Sequence, residues 1–305
     1  MRFKGSVSGF ALIMAMGSLV TLLPLPEVEM LAHFRLHWCL VCLLSSIWLL
    51  VFKRKWAWTA VLAAGIHAFP FVAFSMGQGK PVSPFTLFSA NVHRPNRSVD
   101  KVMAAIKEAN PDVIILIETD HWWVEQAHQA LTQHYPFECA IPRSDNFGMM
   151  VLSRLAGDIN HLELGSADIP SIIMRLEHDQ KPLTLIATHP LPPISHHTTR
   201  LRNQQLDDLA QYVAGIDTPV IVAGDLNTTI FAHSYARLVS NAKLRHAGLG
   251  SGTYATWPSY LGIMGIPIDH VLVSEPLRGS HFRVHRNIDS DHLPISVSIG
   301  LTNQP

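Results

Sequence analysis

A short apolar run that ends in Gly-Asp-Leu-Asn constrains the fold of this chain more than any other feature. Residues 220–223 are apolar and mostly β-branched, which is typical of a strand buried on both faces. Gly224 then allows the backbone to turn, and Asp225 and Asn227 follow. A carboxylate and an amide at the end of a buried strand can together serve a metal-bound phosphate. The same residue types also suit ordinary turns, so this motif alone leaves a structural role open.

Similar apolar runs recur through the chain after Lys80, and helical patterns separate several of them. The runs predicted as strands are 85–90, 113–117, 149–152, 172–176, 183–187, 220–223, 271–273 and 295–299. Helices are predicted to begin near Val99, Trp122, Thr199 and Tyr235. Because strands outnumber helices, this part of the chain is predicted to form a layered α/β or α+β domain.

The first 79 residues differ from the rest because they contain three apolar segments, at 7–25, 36–52 and 56–77. Each segment is near the roughly 20 residues that a membrane-spanning helix needs. We therefore expect a membrane region over 1–79 with about three transmembrane helices, in contact with the lipid bilayer through residues 7–77. A linker over 80–84 and a catalytic domain over 85–305 follow. A cleavable signal peptide is the alternative for the first segment, although no clear cleavage site follows it.

The basic residues of the N-terminal part predict its orientation. Arg2 and Lys4 precede the first apolar segment, and Lys53-Arg54-Lys55 separates the second from the third. The positive-inside rule places both groups in the cytoplasm. Three crossings then place the catalytic domain on the extracytoplasmic, or periplasmic, side of a multi-pass protein of the inner cell membrane. Two crossings would instead leave this domain in the cytoplasm.

The formal net charge of +0 conceals an asymmetry between the two parts of the chain. Six of the 23 Lys and Arg residues and two of the 23 Asp and Glu residues precede Lys80, so the remainder carries a formal charge of −4. A dedicated nucleic-acid binder usually has a strongly basic face. The composition of the globular part therefore disfavours tight binding to DNA.

Polar residues with catalytic or metal-binding chemistry follow one predicted strand after another. Asn91, Glu118, His189 and Asp225 each come at or just after the end of an apolar run. Two further motifs, Ile-Asp-His at 268–270 and Ser-Asp-His at 290–292, continue the series. Polar residues at the ends of buried strands can gather at one edge of a sheet, where open α/β sheets bind their ligands. Turn preferences alone do not readily account for six such positions.

Together and in this order, these motifs resemble those of the deoxyribonuclease-I-like endonuclease/exonuclease/phosphatase superfamily. The motifs that carry the resemblance are Asn91, Pro111-Asp112-Val113 leading to Glu118, Thr188-His189, Gly224-Asp225-Leu226-Asn227, Ile268-Asp269-His270 and Ser290-Asp291-His292. The resemblance spans about residues 85–300, and Thr256-Trp257-Pro258 is most similar to bacterial membrane-anchored members. It implies a four-layer α/β sandwich of two packed mixed β-sheets flanked by helices. It also implies hydrolysis of a phosphate ester with Mg²⁺ or Mn²⁺ as the cofactor. Many relatives have Gln-Glu where this chain has Ile117-Glu118.

Site roles can be assigned within this resemblance, because phosphodiester hydrolysis needs a cation, an activated water and in-line positioning. Glu118 is expected to bind the metal, with Asn91 and Asp291 as further ligands. His292 is expected to be the general base, because an imidazole titrates near neutrality. Asp269 is expected to hold the second ring nitrogen of His292 and to fix its tautomer.

The remaining expected roles concern the phosphate and the water. His189 is expected to donate to a phosphate oxygen, and Asp225 and Asn227 to orient the water and the phosphate. The sequence leaves open whether Asp225 or His292 accepts the proton. The substrate is expected to be nucleic acid or a lipid head group, with small phosphate esters as a third class; no protein partner is inferred. A membrane-tethered binding or scaffolding module without chemistry is the non-enzymatic alternative.

Overall fold

The computed structural model describes residues 2–77 and 80–302, in which an N-terminal group of helices precedes a layered domain. The helices are α1 (Arg2–Gly17), which continues into a 3-10 turn at Ser18–Leu22, α2 (Pro26–Ala32), α3 (Arg35–Val51) and α4 (Ala57–Phe74). Among the described residues, only α4 is long and apolar enough to cross a membrane by length and composition, whereas Ser6–Leu22 and α3 are shorter apolar helices. The helices lie on the three predicted apolar segments, and the short α2 occupies the turn between the first two.

The described part of the layered domain contains twelve strands in two six-stranded sheets. The first sheet contains β1 (Val82–Asn91), β2 (Val113–Ile117), β3 (Phe137–Ile141), β4 (Met149–Ser153), β11 (Leu277–Val284) and β12 (Ile295–Leu301), in the order β11-β12-β1-β2-β4-β3. The second contains β5 (Gly157–Glu163), β6 (Pro170–His178), β7 (Lys181–Ala187), β8 (Val220–Asp225), β9 (Leu244–His246) and β10 (Asp269–Ser274), in the order β5-β6-β7-β8-β10-β9. Both sheets are mixed, because β1–β2 and β7–β8 are parallel pairs and the other pairs are antiparallel.

The two sheets pack face to face, and helices cover their outer faces. Ile115 of the first sheet and Leu185 and Ile221 of the second belong to one buried apolar cluster between the sheets. The outer face of the first sheet packs against α5 (Val99–Ala109) and α6 (His121–Leu131). The outer face of the second packs against α7 (His196–Ala214) and α8 (His233–Asn241). The predicted four-layer sandwich is therefore confirmed.

The eight predicted strands are all present, and the four that the sequence analysis did not predict are β3, β5, β9 and β11. These four strands are the edges of the two sheets. An edge strand has no neighbour on one side and does not need the continuous apolar run that marks a central strand. In β5, for example, exposed and half-buried residues alternate. The first strand begins at Val82, within the stretch predicted as a linker.

The N-terminal helices contact the sandwich through polar groups near α2 and the end of α4. His33 Nδ1 lies 3.1 Å from Thr229 Oγ1. The backbone N–H of Gly250 donates to the backbone oxygen of Phe74 at 3.0 Å. These directional bonds fix the helices against the loops that follow β8 and β9.

Candidate active site

Strand pairing brings the predicted site residues to one edge of the two sheets. Asn91 ends β1 opposite Ile117, so Glu118 follows on the neighbouring strand. In the second sheet Asp225 ends β8 and pairs with Asp269, which begins the antiparallel β10. Strand ends and strand beginnings therefore meet at the same edge, as the sequence motifs predict.

The backbone at this edge needs unusual conformations. Gly224 has φ +143°, and a Cβ atom there would overlap the backbone oxygen of Thr188. Only glycine fits this position, because the neighbouring strand approaches too closely for a side chain. Glu118 and Asn227 also have positive φ, at 62° and 48°. Backbone strain of this kind concentrates at functional sites.

The carboxylate of Asp225 is the centre of the cluster and is buried. Its Oδ2 lies 3.4 Å from His189 Nε2 and 3.5 Å from His292 Nε2. Asn227 N–H donates to its Oδ1 at 2.9 Å. Burial alone would raise the pKa of Asp225, but the two imidazoles and the Asn227 N–H lower this pKa to about 2. Asp225 is therefore ionised at neutral pH.

His292 lies between two carboxylates. Its Nδ1 is 2.9 Å from Asp269 Oδ2, and its Nε2 faces Asp225. Burial favours the neutral ring, but the carboxylates of Asp269, Asp225 and Asp291 outweigh burial and raise the pKa of His292 to about 10. The ring therefore holds a proton at neutral pH in the absence of a metal ion, and the charge of a bound cation would lower this pKa.

His189 is buried on the other side of Asp225, and its ring centroid lies 5.3 Å from that of Phe147. Burial lowers the pKa of His189, but the hydrogen bond and the charge of Asp225 outweigh burial, so that the net shift is upward. Its Nδ1 has no hydrogen-bond partner within the described part of the chain. The upward pKa shift favours the protonated ring, and protonated His189 is suited to donate from Nδ1 to a phosphate oxygen.

Asn91 and Glu118 form the next part of the site. Asn91 Nδ2 donates to Glu118 Oε1 at 2.9 Å and to Asp225 Oδ2 at 3.3 Å. Its Oδ1 accepts from the backbone N–H of His93. The amide nitrogen of Asn91, rather than the oxygen expected to bind a metal, therefore faces the carboxylates in this arrangement. The second oxygen of Glu118 accepts from the backbone N–H of Arg94 at 3.3 Å.

Asp291 lies beside His292 at the mouth of the site. Trp257 Nε1 donates to its Oδ2 at 3.1 Å. Its Oδ1 is buried, lies 3.8 Å from His93 Nδ1, and has no hydrogen-bond partner among the residues described. Because 40% of the Asp291 side chain is exposed, its carboxylate keeps part of its contact with water, and the oxygen without a donor is available to a further ligand.

A divalent cation fits the donor set of this edge. In the described ranges 2–77 and 80–302, no Lys or Arg side chain forms an ion pair with Glu118 or Asp291. Carboxylates are the protein ligands that Mg²⁺ prefers. Asp225, Asp269 and His292 also place possible ligand atoms within 4.8 Å of one another. Both ring nitrogens of His292 already face carboxylates, so we interpret these three residues as a charge-paired group, with a hydrogen bond between His292 and Asp269 and an ion pair between His292 and Asp225.

Arg202 is a supporting residue that the sequence analysis did not find. It is fully buried in α7, and its guanidinium donates to the backbone oxygen of Asn227. Its partner carboxylate is Glu29 of α2, at 3.3 Å. A signal was present in the sequence, because Arg202 lies four residues before Leu206 and therefore on the apolar face of its helix.

The site opens into a cavity of about 620 Å³. Its lining includes Glu118, His189, Asp225 and His292. It also includes apolar side chains, two of which, Met30 and Phe34, come from the N-terminal helical part of the chain. The apolar composition of this part predicts an anchor and gives no indication of its position at the site.

Comparisons with known proteins agree with this geometry. A model of the Endonuclease/Exonuclease/phosphatase family matches residues 88–292. A comparison with curated protein sequences gave no match.

Three solved structures illustrate the shared fold. D. rerio TDP2 complexed with single strand DNA product has 17% identity and a TM-score of 0.56, over 72% of this chain and 100% of that one. A double mutant of Staphylococcus aureus beta toxin with bound magnesium ions has 17% identity and a TM-score of 0.54, over 70% and 99%. Sphingomyelinase C from Streptomyces griseocarneus has 16% identity and a TM-score of 0.56, over 71% and 99%. At these identities, the likeness concerns the fold alone.

Proposed function

Because the chain belongs to the endonuclease/exonuclease/phosphatase family, whose members are metal-dependent enzymes that hydrolyse phosphate esters, we propose that it is a membrane-anchored phosphodiesterase. The observation that carries this proposal is the buried group of Asp225, His292 and Asp269. His189 also contacts Asp225, and Asn91 connects Glu118 to the same carboxylate. The proposed cofactor is Mg²⁺ or Mn²⁺. The substrate is a phosphodiester of nucleic acid or of a lipid head group.

The proposed mechanism is an in-line attack of water on phosphorus. Glu118 and Asp291 would hold a cation, which would supply positive charge to the phosphate oxygens. Asn91 would join them through its amide oxygen only after the amide turns from the orientation described above. His292 and Asp269 act as a pair in proton transfer, since the 2.9 Å contact fixes the orientation of the ring. Asp225, which faces both imidazoles, is the second group able to accept the proton of water.

His189 and Asn227 complete the proposed machinery by positioning the phosphate. His189 donates to a phosphate oxygen as negative charge develops there. The side chain of Asn227 is held by a 2.9 Å bond from its Nδ2 to the backbone oxygen of Pro190. This leaves the amide oxygen of Asn227 available to accept a hydrogen bond from water.

Replacement of His292 tests this assignment. With the full chain, Mg²⁺ and bis(4-nitrophenyl) phosphate, His292→Ala should lower turnover by about 10²–10⁴-fold. His161→Ala is a matched control, because His161 is exposed on β5 and away from the site. Equal turnover of the wild type and His292→Ala would exclude the proposed role of His292.

The surface of the N-terminal helices supports a membrane anchor. The 18 residues of α4 span ~27 Å, close to the ~30 Å of a bilayer core. Large apolar side chains point away from the other helices, among them Ile13, Leu44 and Phe69, which are 69%, 68% and 69% exposed. Small residues such as Ala60 and Ala63 lie between the helices, as they do between helices packed in membranes.

The contacts at the ends of these helices support an extracytoplasmic active site. Ser8, near the start of α1, accepts a hydrogen bond at 3.2 Å from Arg54 in the basic turn. Leu22 and Phe74, at the opposite ends of their helices, bond to the sandwich. The basic turn and the sandwich therefore lie at opposite ends of the helices. With the basic turn in the cytoplasm, as the positive-inside rule predicts, this arrangement supports a sandwich outside the cytoplasm.

A fusion to the C-terminus tests this topology. An alkaline phosphatase reporter, which is active only after export, should be active when fused after residue 305. A green fluorescent protein fusion exported through the same route should be dark. The opposite pair of results would place the catalytic domain in the cytoplasm.

A further inference from the structure

We propose that the apolar side chains lining the active-site cavity bind the hydrocarbon chain of an amphiphilic phosphodiester, which makes a membrane lipid the substrate class. This inference rests on the proposed phosphodiesterase function and narrows its substrate. The cavity residues that form the apolar wall are Met30, Phe34, Leu191, Ile194, Ile266 and Ile268. We refer to these six residues as the apolar wall.

The cavity lining combines the two kinds of group that a lipid phosphodiester needs. Glu118, Asp225, His189 and His292 are the polar groups proposed to act on the phosphate. The apolar wall lines the same space of about 620 Å³. Such a space can accommodate several methylene groups, and each buried methylene favours binding. A small, fully polar phosphodiester would leave the wall in contact with water.

The charge of the cavity disfavours a nucleic acid. No Lys or Arg is present among the described residues that line it, whereas Glu118, Asp145, Asp225 and Asp291 are. A nucleic acid presents a row of phosphates, and proteins bind this row with Lys and Arg side chains. The nearby Arg143 is not free for this purpose, because Asp145 pairs with it at 2.8 Å.

The part of the wall that comes from the N-terminal helices is held in place by buried polar bonds. Glu29, one residue before Met30, accepts from Asn203 Nδ2 at 2.9 Å and from the backbone N–H of Ser234 at 3.2 Å. His33, one residue before Phe34, bonds to Thr229. These bonds position Met30 and Phe34 at the cavity, so the proposed anchor also builds part of the site.

Exposed apolar residues extend from the cavity to the surface. Ile194, at the rim, is 77% exposed. Tyr260 and Ile263 are 80% and 85% exposed on the 3-10 segment Ser259–Met264. Trp257 and Ile266, on either side of this segment, line the cavity. A rim of this kind is typical of a surface that meets a membrane, and a lipid could therefore enter without exposing its chain to water.

A series of 4-nitrophenyl alkyl phosphates, from methyl to hexyl, tests the inference with the wild-type full chain in nanodiscs. Each added methylene should raise kcat/KM by about fourfold until the wall is covered, which is the fold-change for about 0.8 kcal/mol per methylene. If the methyl ester is hydrolysed but kcat/KM does not change with chain length, the lipid inference would be overturned and the phosphodiesterase proposal would remain. If neither the esters nor a single-stranded oligonucleotide is hydrolysed with Mg²⁺ or Mn²⁺, both the lipid inference and the phosphodiesterase proposal would be overturned.

Variants of the wall provide a second test. Phe34→Ser and Ile194→Ser should flatten the dependence of kcat/KM on chain length. Leu44→Ser is the matched control, because Leu44 is exposed on α3 about 15 Å along the helix from Phe34. It should retain the wild-type dependence. An oligonucleotide cleaved by the wild type at least as efficiently as the hexyl ester would contradict the assignment to lipids.

Discussion

The carboxylate of Glu29 lies 3.3 Å from the guanidinium of Arg202, and both side chains are buried. Glu29 belongs to α2 of the N-terminal part, and Arg202 belongs to α7 of the sandwich. The same guanidinium donates to the backbone oxygen of Asn227 in the candidate active site. This ion pair therefore connects the proposed membrane anchor to the loop that follows the central strand of the site.

Removal of Arg202 should be strongly destabilising. Arg202→Met would leave the Glu29 carboxylate buried without its cation, so we expect a loss of about 3–5 kcal/mol in the free energy of unfolding. The double variant with Glu29→Leu should recover part of this loss, because two apolar side chains then replace the pair. Chemical unfolding of the detergent-solubilised chain measures the free energy of unfolding of the single and the double variant. Arg237→Met, which breaks a half-exposed pair with Asp207, should cost about 1 kcal/mol or less.

The contribution of Glu29 should depend on pH. Burial raises the pKa of Glu29, but the charge of Arg202 and the hydrogen bonds from Ser234 and Asn203 outweigh burial and hold it below its ordinary value of 4.5. A carboxyl whose folded pKa is depressed stabilises the fold above its unfolded pKa, and this stabilisation is lost as the pH falls through the folded pKa. The difference in melting temperature between the wild type and Glu29→Gln should therefore be constant from about pH 6 to 8 and shrink below about pH 4. A difference that grows on acidification would contradict this.

Replacement of Asp269 should impair catalysis. Asp269→Asn retains the shape of the side chain but removes the charge that orients His292, so turnover of a phosphodiester should fall by about 10²–10⁴-fold. Because Asp269 and His292 are a buried charged pair, the melting temperature should also fall, and turnover is therefore measured at a temperature where both proteins are fully folded. Asp158→Asn on the exposed face of β5 is the control and should have wild-type turnover. A wild-type rate for Asp269→Asn would contradict the pairing as the basis of catalysis.

Gly224 should tolerate no side chain. Gly224→Ala places a Cβ atom against the backbone of Thr188 and forces alanine to a φ of +143°, so it should cost more than about 1 kcal/mol and lower activity. Gly215→Ala is the matched control, because the nearest atom to its Cβ would be at 3.5 Å. Thermal unfolding and turnover, measured together, test this. Equal stability of the two variants would show that the turn can relax.

The central strands and the site residues could be predicted because their signals are local. A buried strand such as β2 or β8 needs a continuous apolar run, and the polar residue that ends it, Glu118 or Asp225, is adjacent in sequence. The edge strands β3, β5, β9 and β11 gave no such signal, since one side of each lacks a partner. The orientation of the Asn91 amide also depends on neighbours from distant parts of the chain.

The role of the N-terminal part at the site could not be predicted for the same reason. Its hydrophobicity indicates an anchor. Met30 and Phe34 line the cavity, but in the sequence they cannot be distinguished from the other apolar residues of this part. The contact between Glu29 and Arg202 joins residues that are far apart in sequence, so neither periodicity nor spacing can reveal it. Only the packing of α2 against α7 brings them together.

A metal titration tests the central claim most directly. The EDTA-treated full chain is titrated with Mg²⁺ while the hydrolysis of bis(4-nitrophenyl) phosphate is followed, for the wild type and for Glu118→Gln. We predict no turnover without metal, recovery in the wild type, and a requirement for at least about tenfold more Mg²⁺ in Glu118→Gln. Turnover in EDTA, or the same Mg²⁺ dependence for both proteins, would contradict a metal-dependent phosphodiesterase site at this edge of the sheets.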